Sequence, residues 1–315
     1  MEGLHYGSLV GIAVAMAIAA GIPAFFPRLV VPAVVLEIVM GVILGPQVLH
    51  VFKGGPIANL LYTLGLAMLF LIAGYEVNPA ILRGHPIVKA ALGWVVSVAI
   101  AFAAAFVLVR SGGAIAVCLT ALALSTTTLG ALMPILRDEN LLSPPYGQFV
   151  LAAGAIGEVG PIVALTFALA GHESTIARAA TLIVFAAAAT AAIVTLSFAH
   201  SKAFERVVAR SIATSGQFPV RLASAILIVL VALTAQLNMD VVLGAFVAGM
   251  LLRALIPAEH HESVAVRLDG LGFAFLVPMF FIISGSRLDV AGLMSSWSSL
   301  AMVPIYALVM LVARG

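Results

Sequence analysis

Apolar runs of about 20 residues, the length that crosses a bilayer as a helix, recur along the whole of this sequence. We read eleven of them, near 8–26, 29–45, 57–75, 87–109, 114–136, 146–170, 176–199, 219–237, 239–255, 270–286 and 298–315. Short stretches with turn chemistry separate them, as in "FFPR", "GPQVLHVFKGGP", "NPAILRGHP", "RDENLLSPP", "RSIATSGQFP" and "PAEHHES". No linker is long enough for a soluble domain, and there is no low-complexity tract or short-period repeat. The fold class that follows is an all-α polytopic membrane protein with about eleven transmembrane helices.

Composition points the same way. The chain is 63% hydrophobic and 9% charged, where a soluble domain carries about a quarter charged residues. A net charge of +2, with the basic residues in loops, gives no reason to expect a nucleic-acid partner. The single cysteine, Cys118, excludes a disulfide framework and a cysteine metal site, and reads as helix packing. The first residues lack a basic region and a cleavage signal, so the first apolar run is expected to be retained.

Lysine and arginine set the expected orientation. With the N-terminus outside, the cytoplasmic side receives Arg28, Arg83, Lys89, Arg137, Lys202, Arg206, Arg210, Arg221, Arg253 and Arg267. The outer side receives Lys53, Arg110, Arg178 and Arg287, with Arg314 left inside the membrane. The bias predicts a multi-pass protein with its N-terminus outside.

Two neighbouring spans break the apolar rule. In "ALALSTTTLGALMPIL", Ser125, Thr126, Thr127 and Thr128 stand in a row, followed by Gly130 and Pro134. Pro134 lacks an N–H and crowds the carbonyl four residues back, so the helix is expected to open between Ser125 and Pro134. Broken helices survive in a membrane only where protein or a watery cavity satisfies the freed backbone, and such breaks mark ion sites in secondary transporters. The plainer alternative is that the threonines bond back to their own helix and the glycine permits close packing.

The next span holds a carboxylate, Glu158, in "AIGEVGP". A charge at the centre of a bilayer costs about 2.5–3.5 kcal/mol on insertion scales unless it has water, a partner or a bound ion. Gly157 and Gly160 remove bulk around it and Pro161 loosens the helix beyond it. A structural carboxylate, salt-bridged or permanently protonated, is the competing reading. Hydroxyls and opened carbonyls together with one carboxylate make a hard oxygen site, suited to a proton or an alkali cation.

Other polar residues read as structural. Glu37 and Glu76 are placed to pair with cytoplasmic basic residues, and Asp240 in "LNMD" to cap a helix. Arg287 and Asp289 in "GSRLD" fall at the outer interface. His260 and His261, beside Glu259 and Glu262, read as a solvated loop or pH sensor rather than a metal site. The aromatic and methionine residues of "LVPMFF" read as packing.

Six motifs in order, "VPAVVLEIVMGVILGP", "LAMLFLIAGYEVNP", "ALALSTTTLGALMPIL", "GQFVLAAGAIGEVG", "VVLGAFVAGMLLR" and "LVPMFFIISGSRLD", resemble the monovalent cation/proton antiporters. The resemblance is to the branch of bacterial sodium/proton exchangers and potassium-efflux antiporters, and it covers nearly the whole chain. It implies one transmembrane antiporter domain over 1–315, with a first inverted repeat near 8–170 and part of a second near 219–315. It also implies a dimerising scaffold and a core that moves past it, with lipid, a proton and Na⁺ or K⁺ as partners. No cofactor or metal is implied.

On that resemblance the ion-binding carboxylate is Glu158, and the discontinuous crossover segment is Ser125, Thr126, Thr127 and Thr128. Arg314 in "LVMLVARG" is then the charge partner. Gly157, Gly160, Pro134, Glu37 and Glu76 have structural roles. The family's usual aspartate is a glutamate here, and the polar residue before it is Gly157. Two helices of the second repeat are not in the sequence, so a truncated product is expected.

The expected function is exchange of protons for Na⁺ or K⁺, with both ions competing for Glu158. Arginine keeps its proton at physiological pH, so one titrating carboxylate makes electroneutral exchange the simplest stoichiometry. A non-transporting regulatory or truncated membrane protein and a gated potassium-efflux system stay open. No nucleophile–base pair or HExxH motif suggests an enzyme.

Overall fold

The computed structural model describes residues 6–26, 31–52, 54–77, 85–109, 113–127, 136, 141, 146–168, 175–198, 202–212 and 214–314. The regular elements among them are all helical. In order they are α1 (Tyr6–Phe25), α2 (Ala33–Leu44), α3 (Pro56–Glu76), α4 (His85–Leu108), α5 (Gly113–Leu124), α6 (Tyr146–Ala168) and α7 (Thr175–Phe198). There follow α8 (Lys202–Ile212), α9 (Phe218–Gln236), α10 (Val241–Leu255), α11 (His261–Leu271), α12 (Val277–Ser286), α13 (Val290–Met294) and α14 (Trp297–Arg314). Among the described residues, six helical stretches are long and apolar enough to cross a membrane, and five shorter apolar helices accompany them. Large apolar side chains such as Val14, Leu92, Val96, Val229 and Leu311 are exposed. Lipid chains are as apolar as leucine, so such faces need no protein cover in a bilayer. The chain is a multi-pass membrane protein.

Packing divides the chain into two compact units. The first comprises Met1–Leu69 and Leu268–Met302. Its tightest helix pair is α2 against α12, where a Cβ added to Gly41 would collide with the Ile282 carbonyl and one added to Gly285 with the Ile38 carbonyl. Association in lipid gains little from the hydrophobic effect, so this backbone-to-backbone approach supplies dispersion contacts that larger residues would forbid. Around it Ile12, Ala15, Phe52, Ala58, Met279, Ile282 and Ile283 form a buried cluster. Glu37, buried on α2, has no basic partner among the described residues, although pairing was the expectation.

The second unit comprises Phe70–Arg267 and Val303–Gly315. Helices α4, α5 and α6 pack on one another, and α9 pairs with α10. The turn between α9 and α10 uses Asn238 at φ 53°, and Asp240 caps α10 by accepting the Val242 N–H at 2.9 Å. The cap agrees with the sequence reading. Ala101, Ala105, Ala121 and Leu124 form a buried cluster, and Val117, Tyr306 and Val309 pack against it, so α14 is seated on α4 and α5.

Two boundaries differ from expectation, and one agrees with it. "PAEHHES", read as a loop, is helical: a 3₁₀ turn over Ala258–His260 leads into α11, and a π-helical turn over Gly272–Leu276 joins α11 to α12. Pro257 tolerates this because it stands at the cap, where no helical N–H is required. The stretch before "RSIATSGQFP" forms α8, whose apolar face carries Phe204, Val207 and Val208. Val208 is buried, and the Phe204 and Phe218 rings meet edge-on at 6.2 Å. The fifth span leaves helical geometry after Leu124, at the start of the opening expected between Ser125 and Pro134.

Candidate functional site

Helix α5 ends in a run of hydroxyl residues. The Ser125 N–H is shared between the carbonyls of Ala121 (3.1 Å) and Leu122 (3.2 Å), and its hydroxyl donates to Leu122 O at 3.0 Å. Ser125 is fully buried, and its side chain satisfies the end of its own helix. The Thr126 N–H reaches back only three residues, to Ala123 O at 3.4 Å. By Thr127 the chain has left the helix: its N–H donates across to the Gly157 carbonyl of α6 at 2.9 Å.

That acceptor exists because of Pro161. In an α-helix the carbonyl of Gly157 would take the N–H of residue 161, and proline has none. The Thr127 amide fills the vacancy, so a broken helix and a proline-containing helix each satisfy the other's freed group, as burial in lipid demands. Gly157 leaves the space that the Arg314 and Thr127 side chains fill. A Cβ there would collide with Arg314 Nη2 and with Thr127 Oγ1.

Arg314, half-buried near the end of α14, completes the arrangement. Its Nη2 donates to Thr127 Oγ1 and, at 3.4 Å, to the Ala153 carbonyl. Glu158, the next residue after Gly157, is 3% exposed and lies twelve residues into α6. At about 1.5 Å per residue that is roughly 18 Å from the start of the helix, far inside an apolar segment. Two residues on, Gly160 makes room for the Trp94 indole of α4; a Cβ would sit 2.7 Å from Trp94 Cζ2. On the other side of α6 from Glu158, Trp94, Ala155, Val159, Val163, Phe246 and Met250 line an apolar cleft of about 470 Å³.

The structure thus brings Thr127 and Arg314 onto α6 beside Gly157, the residue before Glu158, with Ser125 and Thr126 just before Thr127 in the chain. Thr128 and Pro134 lie outside the described residues. Glu76, at the end of α3, and Glu37 are elsewhere in the chain. Pro161 was read as loosening its helix; that it frees a carbonyl for Thr127 was missed, although a proline four residues after Gly157 was the available signal.

The sequence pattern of the transmembrane sodium/hydrogen exchanger family matches residues 14–315. The chain belongs to that family. One similar protein is a Bacillus subtilis (strain 168) chain named "Putative Na(+)/H(+) antiporter YjbQ", 30% identical over 197 residues. The match covers 62% of this chain and 31% of that relative, so the chain spans about a third of the relative it matches. Family membership makes this a transporter-type membrane protein.

Among the described residues there is no group of three metal-ligating side chains. His261 Nε2 instead faces the carbonyls of Ile256 (2.8 Å) and Arg253 (3.1 Å), its own carbonyl accepts from the buried Tyr75 hydroxyl at 3.1 Å, and Arg253 donates to Tyr75 O at 2.7 Å.

Proposed function

We propose that this protein exchanges protons for Na⁺ or K⁺ across the cell membrane, with Glu158 as the carboxylate that both ions occupy. The observation that carries the reading is the Thr127–Gly157 hydrogen bond with Arg314 held on Thr127, immediately beside a deeply buried acid. A helix opened at this point offers hydroxyl and carbonyl oxygens, the donor type that a desolvated alkali cation prefers. Thr126 and Thr127 supply oxygens, with Thr128 as a further candidate, and Glu158 supplies the titrating charge. Arg314 is the charge partner that holds the opened segment against α6.

Exchange follows from exclusion. A proton or a cation neutralises Glu158, and the occupied site crosses; the bare carboxylate is held back by the cost of charge in lipid. Because the two ions share one carboxylate, one leaves as the other enters, and one-for-one exchange results. The family resemblance supports a homodimer, and the distribution of basic residues supports an N-terminus outside.

The test is transport by the purified protein in sealed vesicles carrying an internal pH dye. An inward Na⁺ or K⁺ gradient should drive protons outward and raise the internal pH, and the two cations run side by side identify the substrate. No pH change with either cation would overturn the reading.

A further inference from the structure

The geometry points to a second ligand site: a cleft in the first unit that holds a phosphate group on Arg287. This inference is independent of the ion-exchange reading. The cleft has a volume of about 510 Å³ and is lined by Gln47, His50, Asn59 and Arg287 on its polar side and by Pro46 and Phe52 on its apolar side.

Arg287 is fixed in orientation before any ligand arrives. Its Nη2 donates to Asn59 Oδ1 at 2.6 Å, and its guanidinium carbon stands 4.2 Å from the centroid of the Tyr62 ring. Stacking on an aromatic face and a hydrogen bond to an amide both restrain the fork without neutralising it. The acid nearest in sequence is already engaged: Asp289 Oδ1 accepts from Gln47 Nε2 at 3.1 Å and from the Gly292 N–H at 2.9 Å, where it caps α13. Gln47 Oε1 in turn accepts the Ala291 N–H at 2.8 Å. No carboxylate among the described residues pairs with Arg287. A guanidinium has five N–H donors, and with one given to Asn59 the rest match the bidentate spacing of phosphate oxygens.

Position in the fold selects the ligand class. Gln47 follows the end of α2, Asn59 lies in the first turn of α3, and Arg287 directly follows α12. Three apolar helices therefore end at this cleft, at the boundary between hydrocarbon and water where lipid phosphates lie. Phe52 and Pro46 add an apolar wall suited to the glycerol end of a lipid. The phosphate can come from a phospholipid headgroup or from a dissolved anion, and the chemistry at Arg287 is the same.

Two variants test it on the full chain in detergent. Arg287→Gln removes the fork, and Asn59→Asp keeps the hydrogen bond but sets a carboxylate against the guanidinium. Each should weaken binding about tenfold, the effect of losing a charge-assisted hydrogen bond. Phosphatidylglycerol retention, against diacylglycerol, is read by native mass spectrometry. The melting shift with inorganic phosphate is read against chloride at equal ionic strength. Retention of the lipid that both variants lose assigns a lipid headgroup, and a phosphate-dependent shift that both lose assigns a dissolved anion. Should Arg287→Gln fail to fold, Asn59→Asp gives the same reading alone. Parent-like binding of both probes by a folded variant overturns the proposal.

Discussion

Thr127 donates its backbone N–H to the carbonyl of Gly157 at 2.9 Å, in the helical turn where Pro161 has no N–H to give. Each partner would otherwise be an unsatisfied polar group inside an apolar segment, at about 1–3 kcal/mol apiece. The pairing lets one helix open and another carry a proline at the same depth, beside the buried Glu158.

Restoring the missing donor should therefore separate stability from function. With Pro161→Ala, residue 161 can bond to Gly157 O and displace Thr127. The helical bond gained offsets the bond lost at Thr127, so the melting temperature should change little. Backbone amides near Thr127 should exchange deuterium faster, and ion exchange should slow by about tenfold, as expected for losing one buried hydrogen bond at the site. Unchanged deuterium uptake at residues 125–127 would contradict the assignment.

Gly157→Ala places a methyl group against Arg314 and Thr127. The cost should be about 1–3 kcal/mol of stability, the usual penalty for overpacking, together with loss of transport. Gly93→Ala, where an added Cβ meets nothing within 4 Å, is the matched control. It should be neutral or slightly stabilising, since alanine favours a helix over glycine by about 0.5–1 kcal/mol. Thermal melts of the two variants check the contrast.

In the first unit, Gly41→Ala or Gly285→Ala drives a methyl group into a backbone carbonyl of the facing helix. Backbone cannot swing aside as a long side chain does, so each variant should lose about 2 kcal/mol or more. Melting in detergent measures it, and a parent-like melt would mean that α2 and α12 do not pack this closely.

Much of this was readable from the chain, and the exceptions share a cause. The apolar runs are matched by six long and five shorter apolar helical stretches, because bilayer thickness fixes the length of a span. The opening at Ser125–Thr127 was visible as hydroxyl residues in a row where leucines would be expected. Its partner was not. Which carbonyl receives the Thr127 N–H depends on how two helices lie together, and no local pattern encodes that. Helix α8 escaped notice because Lys202, Glu205, Arg206 and Arg210 within eleven residues look like a loop, while its apolar face at 204, 207 and 208 is short. Helix α11 escaped for the same reason, its charges masking a helix that begins at His261, after the 3₁₀ turn that follows Pro257.

Orientation can be tested where the side chain is accessible. Glu259 is 72% exposed, and the distribution of lysine and arginine predicts that its turn is cytoplasmic. A Glu259→Cys variant in a Cys118→Ser background should resist a membrane-impermeant maleimide added to intact cells and react once the cells are opened. Rapid labelling of intact cells would reverse the topology.

The central claim is that proton and cation share Glu158, and Glu158→Gln in sealed vesicles tests it most directly. Glutamine keeps the shape and burial but can neither titrate nor bind a cation by charge. Cation-driven proton flux should fall to the protein-free background while the protein elutes and melts like the parent. Glu158→Asp should retain measurable exchange with an altered pH profile. If the glutamine variant exchanges ions as fast as the parent, Glu158 is not the shared carboxylate.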